Sequence, residues 1–289
     1  MQAYKQIVDE ISINEQFKML TQAYQEHAIV QINLARYSVL ASREFMEELG
    51  EIFFNVKSTY EEHLKSMTGK EKKIHEDRIR KNGREALILL SSNGKFYGDL
   101  INKVSRYFTE QAKQINADII IVGKEGKNLY TASGIKKPFT YLELPDINIT
   151  LDSLKPLINL IIDYKKTTIF YGKFSNIIVQ QPVVTSLSGD LPASVAPPKI
   201  IRKDFIFEPD IEKVMEFFES QIISMLLNQT VSESKLARFA SRIKAMEFAQ
   251  NNLQKQLSML SSRERRLKSM TMNKKQLQLF SGRSLWNKK

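Results

Sequence analysis

Three histidines, a complete absence of cysteine and two glycine-bearing loops define what chemistry this 289-residue chain could perform. His27, His63 and His75 lie in helical or polar N-terminal stretches, none of them near the end of a strand pattern. A zinc site needs several ligands converging, and a Ser-His-Asp set needs a histidine held beside its nucleophile. Without cysteine there is no thiolate nucleophile, thiolate metal site or disulfide framework. Ser91-Ser92-Asn93-Gly94-Lys95-Phe96-Tyr97-Gly98 follows a strand pattern, as a phosphate-cradling loop would. It has neither the GxxxxGK[ST] nor the GxGxxG spacing, and bulky Phe96 and Tyr97 would hold a phosphate off the backbone. Gly123-Lys124-Glu125-Gly126 reads as a turn after a strand. These residues give no catalytic assignment, no metal site and no cofactor.

The net charge of +11 is concentrated. Residues 263–289 carry nine Lys or Arg against one acid, Glu264, and a second basic stretch runs through Lys65, Lys70, Lys72, Lys73, Arg78, Arg80, Lys81 and Arg84. Nucleic-acid binding calls for aromatic side chains among the cations. The C-terminal run has only Phe280 and Trp286, so solvation of a helix or an acidic protein partner fits better. No apolar run approaches the roughly 20 residues of a bilayer span, and the N-terminus lacks the apolar core of a secretory signal. The expectation is a soluble, intracellular chain without a transmembrane segment.

Two long helical patterns enclose a different middle. Over residues 1–49, Ile7, Ile11, Phe17, Leu20, Tyr24, Ala28, Leu34, Ala41 and Phe45 recur at spacings near three and four. Over residues 210–280, Met246, Leu253, Leu260 and Leu267 fall one heptad apart, with Ala249, Leu257 and Met270 on the alternate seam. At 1.5 Å per residue these helices would reach about 70 Å and about 100 Å. Apolar stripes of that length need a partner, and the chain leaves along one and returns along the other, so antiparallel pairing is expected. Between them, strand patterns at residues 86–90, 118–122, 168–171 and 176–184 alternate with helical ones at 100–114 and 151–165, the signature of a mostly parallel sheet. Residues 186–198, with Gly189, Pro192, Pro197 and Pro198, read as a linker. The fold class is therefore α/β: a long antiparallel coiled coil of N- and C-terminal helices plus a central Rossmann-like domain. The expected segments are 1–64, a basic connector 65–84, an α/β domain 85–198 and a C-terminal arm 199–289.

The order of several motifs resembles the gamma subunit of F-type ATP synthases. Arg242-Ile243-Lys244-Ala245-Met246, with Ala249 and Asn252, is similar to that family's R-M-x-A-M-x-x-A-T-x-N, and Asp204-Phe205-Ile206-Phe207-Glu208-Pro209 to its W-D-Y-L-Y-E-P. Ser281-Gly282 stands at the closing S-G-A. Lys5, Ile7, Ile11, Thr21, Ala23, Ala28 and Ala41-Ser42-Arg43 match its N-terminal helix. Residues 91–100 occupy the place of S-T-D-R-G-L-C-G-G-L. Tyr171-Gly172-Lys173-Phe174, Gln181-Pro182 and Leu191-Pro192 match the following strand and its Q-x-P and L-P segments. The chain departs at Tyr97-Gly98-Asp99, at Arg238 in place of an acid, and at Arg265, Lys268, Met272 and Lys275 near the C-terminus.

The resemblance implies a non-catalytic rotor shaft whose arms insert into three alpha and three beta subunits, where the nucleotide sites lie. It implies contacts to that hexamer from Tyr24, Arg242, Lys244, Ala245, Met246, Glu247, Lys268 and Lys275. Asn93, Gly98 and Leu100 would belong to the central loop of a foot that meets an epsilon subunit and a membrane ring. It also implies a peripheral location on the cytoplasmic face of the inner (plasma) membrane. The departures leave open a shaft of a diverged rotary ATPase with another mechanical output such as motility. A free-standing coiled-coil adaptor is the reading outside this family.

Overall fold

The computed structural model describes residues 2–66, 83–187, 208 and 210–286. Outside them lie residues 67–82, with most of the basic connector and His75, and residues 188–207, with the linker, Leu191-Pro192 and most of the segment before Glu208. The side chains of Ala41, Ser42, Arg43, Phe45, His63 and Trp286 also lie outside the description. Helix α1 runs Gln2–Ser66 and helix α5 Ile211–Trp286. Between them come β1 (Glu85–Leu90), α2 (Leu100–Gln114), β2 (Asp118–Val122), α3 (Lys124–Ala132), β3 (Phe139–Leu142), α4 (Leu151–Ile161), β4 (Lys166–Phe174) and β5 (Gln180–Leu187). Two compact units emerge: residues 1–28 with 243–289, and residues 29–242.

In the larger unit the strands lie in the order β3-β2-β1-β4-β5. β1 pairs in parallel with β2 and β4, β2 pairs in parallel with β3, and β5 runs antiparallel to β4. Alternation along β1 explains why its apolar run has no polar face. Ala86, Ile88 and Leu90 join one core cluster, with α4 (Leu154, Leu157, Ile161), Phe53 and Val56 of α1, and Ile222 and Leu227 of α5. Leu87 and Leu89 join the other, with Leu100, Val104, Phe108 and Ala112 of α2. Those four recur every fourth residue, so α2 offers one apolar stripe to the sheet. Phe108 meets Phe170 and Tyr130 edge-on at centroid distances of 5.2 and 6.1 Å. Thr150 caps α4, accepting from the Ser153 amide while Ser153 Oγ accepts from the Thr150 amide.

Three expectations change. Gly123-Lys124-Glu125-Gly126 is a helix start: Gly123 is the N-cap of α3, with φ +96°, and a Cβ there would come within 2.8 Å of the Ser92 backbone. Only glycine accepts both that dihedral and that approach. Phe139–Leu142 adds an edge strand that no apolar run announced. The fourth expected strand shifts four residues, to Gln180–Leu187, because the Asn176 carboxamide accepts from the Ile178 and Val179 amides and turns the chain there.

In the smaller unit the two helices pair antiparallel. Tyr4 donates to Glu264 (3.0 Å), Lys18 to Gln254 (2.7 Å) and Gln250 to Gln25 (2.7 Å). The N-terminal seam is Ile7, Ile11, Asn14, Lys18, Thr21, Gln25 and Ala28, a strict four-three spacing of buried or half-buried residues. Phe17 and Leu20, expected in that stripe, are 53% and 50% exposed. Phe17 sits one residue, about 100° of helix, from Lys18, which is what turns it outward. On α5, Met246, Ala249, Leu253, Leu257, Leu260 and Leu267 do lie at the seam, while Met270 faces out.

Candidate functional site: a clasp on the long helix and a mixed-seam coil

The loop between β1 and α2 is fixed from two sides. On one side the Asp146 carboxylate accepts from the Asn93 amide (3.1 Å) and the Gly94 amide (2.7 Å). A side-chain anion thus holds the amides that would otherwise face a phosphate. Asn93 donates from its carboxamide to the Leu144 carbonyl (2.7 Å) and accepts from the Lys124 amide (3.0 Å), joining the loop to both neighbouring connections. Phe96 and Gly98 take φ +68° and +61°, which turns the carbonyls of Lys95, Phe96 and Tyr97 toward α5.

On the other side, one turn of α5 supplies the donors. Arg238 Nη1 donates to the Ser91 carbonyl. Ser241 Oγ donates to Tyr97 O at 2.7 Å, Arg242 Nη2 to Lys95 O at 2.9 Å and Arg242 Nε to Phe96 O at 3.4 Å. Positions i, i+3 and i+4 share one helix face, so the three residues act together on one loop. The Tyr97 ring lies between them, with the Arg242 guanidinium 3.9 Å and that of Arg238 5.9 Å from its centroid, and Phe239 meets it edge-on at 5.8 Å.

Arg238 is 3% exposed, and its Nη1 lies 3.9 Å from Asp146 Oδ1. Burial lowers its affinity for the proton; the Asp146 charge acts in the opposite sense. Burial likewise pushes the Tyr97 phenol up, and it pulls the Lys235 ammonium down where that group donates to the Ile147 carbonyl (2.6 Å). Below the clasp Tyr171 donates to Glu233 of α5 (3.2 Å), and burial raises its pKa to about 12. Among the described residues no cluster of His, Asp or Glu could hold a metal ion.

The residues singled out in the sequence therefore divide. Asn93 and Gly98 shape the clasped loop, and Leu100 is buried behind it. Arg242 is buried in the clasp. In the coil, Tyr24 and Ala245 are half-buried, Met246 is buried, and Lys244, Glu247, Lys268 and Lys275 are exposed. Asp146 and Ser241 carry no sequence signal, and Arg238 stood out only as a cation at an unusual place.

Paired N- and C-terminal helices, with a mostly parallel α/β sheet inserted between them in sequence and clasped to the second, define a class of chain with two long helical arms around an α/β domain, and among the described residues no catalytic constellation is assembled. A family model described as ATP synthase matches residues 3–272. An ATP synthase gamma chain from Ruthia magnifica subsp. Calyptogena magnifica is 25% identical over 265 residues, covering 87% of this chain and 88% of that one. Among solved structures, a rotor chain of the Euglena gracilis mitochondrial ATP synthase matches with TM-score 0.57 and 15% identity, over 94% of this chain and 99% of that one. A chain of that enzyme's OSCP/F1/c-ring structure matches with TM-score 0.62 and 13% identity, over 98% and 94%. The chain belongs to the ATP synthase family, as a gamma-type central-stalk subunit.

Proposed function

We propose that this chain works as the non-catalytic rotating shaft of an F-type ATP synthase, with every nucleotide site on the surrounding alpha and beta subunits. The observation that carries this reading is a coil whose seam is part polar and whose outer face is part apolar. Asn14, Lys18, Thr21, Gln25 and Gln250 occupy the seam, while Phe17, Leu20, Phe248 and Met259 face out. Exposed apolar side chains at this density mark a surface that another protein covers, and three alpha and three beta subunits are that cover. Tyr24, Lys244, Ala245, Glu247, Lys268 and Lys275 are the contacts assigned to the hexamer, while Met246, buried in the coil, packs its seam. Arg242, already engaged by the loop, is assigned to the foot. The α/β unit is the foot, with Asn93 and Gly98 in its central loop and Leu100 at the start of α2 behind it, and it meets the epsilon subunit and the membrane ring. No described helix is long and apolar enough to cross a membrane. As the shaft of such an enzyme the chain is assigned a peripheral place, on the cytoplasmic face of the inner membrane.

The test is co-expression with the cognate alpha and beta subunits, followed by native mass and ATP hydrolysis. A particle of three alpha, three beta and one of this chain is expected. Removing residues 268–289 should lower its hydrolysis severalfold, because the exposed Met270, Met272, Leu277 and Phe280 go with them. A chain that never enters such a particle contradicts the reading.

A further inference from the structure

We propose that Arg238, Ser241 and Asp146 form the joint through which torque passes between the long helix and the α/β foot. This inference rests on the rotor reading above. Apart from the hydrogen bond from Tyr171 to Glu233, the remaining contacts between α5 and the sheet are apolar: Met215, Ile222, Leu226, Leu227 and Val231 lie in the same cluster as β1 and β4. Apolar packing resists separation, but it is non-directional and opposes sliding or rolling of a helix only weakly. Hydrogen bonds depend steeply on angle, so a set aimed from one helical turn opposes rotation about the helix axis.

The clasp has that form. Ser241 and Arg242 donate to three successive carbonyls, those of Lys95, Phe96 and Tyr97, and Arg238 reaches the Ser91 carbonyl at the loop's other end. The acceptors are backbone groups of Ser91, directly after β1, and of the loop that follows it, and the ladder of β1 runs into β2 and β4. A twist applied at residues 238–242 is therefore delivered to the centre of the sheet. Asp146 keeps the loop in place by holding the Asn93 and Gly94 amides, and it faces the buried Arg238 charge. These are positioning residues that touch no nucleotide.

The test is reconstitution of the complete ATP synthase in sealed vesicles, comparing ATP-driven membrane potential with ATP hydrolysis by the same particles and by the soluble particle of alpha, beta and this chain. Ser241→Ala with Arg238→Met should leave soluble hydrolysis within twofold of the unmodified particle and lower potential generated per ATP hydrolysed at least threefold. Arg238→Lys, which keeps the charge and one donor, should recover part of that loss. Asp146→Asn, a smaller change at the opposite side of the joint, should give the same uncoupling in milder form and serves as the test if the double variant does not fold. An unchanged ratio in a folded variant overturns the joint, and so does a fall in soluble hydrolysis equal to the fall in potential. If the unmodified chain forms no active soluble particle, the rotor reading fails instead.

Discussion

In the α/β unit, Leu87, Ile88, Leu89, Ile120 and Ile121 are buried on both faces of a parallel sheet, whereas in the helical pair the seam holds Asn14, Lys18, Thr21 and Gln25 while Phe17 and Phe248 face out. The first arrangement takes apolar surface from water within the chain itself; burying one large aliphatic side chain contributes about 1.5–3 kcal/mol. The second leaves much of that surface exposed and joins the helices partly through amide and ammonium hydrogen bonds, each worth about 1 kcal/mol net. The sheet unit is built to stand alone. On the rotor reading, the helical pair is finished by a protein that covers its exposed apolar face.

The largest expected effect tests the self-sufficiency of the sheet unit. Phe108→Ala should cost about 3–5 kcal/mol, read as a shifted urea midpoint, because the ring fills space between α2, Tyr130 and Phe170. A loss below about 1 kcal/mol would mean that this core is not what holds the unit together.

Alkaline titration tests the same core at Tyr171. Its folded pKa of about 12 lies above the ordinary value of 10.0. Well below pH 10 the phenol is neutral in both states and the native arrangement keeps its full stability. Between pH 10 and 12 only the unfolded phenol ionises, so stability falls, by on the order of 2 kcal/mol. Tyr171→Phe should remove that fall, measured by urea unfolding across the range.

The smallest effect has the opposite sign. Replacing Gln25 and Gln250 together by Leu should stabilise the helical pair by about 1 kcal/mol, since polar residues at a coiled-coil seam cost stability. The helical signal should melt at higher temperature. A destabilised pair would show that the amide bond at 2.7 Å outweighs the apolar packing that replaces it.

What was legible in the sequence follows the same division. Strands buried on both faces announce themselves as continuous runs, as at residues 86–90, and α2 by Leu100, Val104, Phe108 and Ala112 at fourfold spacing. The heptad of Met246, Leu253, Leu260 and Leu267 likewise marked the true seam of α5. The N-terminal seam was right at Ile7, Ile11 and Ala28 and wrong at Phe17, Leu20 and Leu34, because apolar type does not identify the inner face when half of that face is polar. The β3 strand was hidden because Phe139–Leu142 is short and only half-buried, and α3 because a glycine N-cap reads as a turn. The clasp was invisible because Arg238 and Asp146 are brought together only by the folded sheet. In the sequence, Arg238 registered simply as a cation where the family has an acid; in the fold, Asp146 supplies the opposing charge.

Amide hydrogen exchange on the full chain, free and in the particle with alpha and beta subunits, tests the central claim most directly. The account predicts strong protection of residues 86–90 and 119–122 in both states. Residues 4–28 and 243–280 should be weakly protected in the free chain and gain protection by orders of magnitude in the particle. Equal, strong protection of the helical pair in the free chain would contradict it, because the pair would then need no cover.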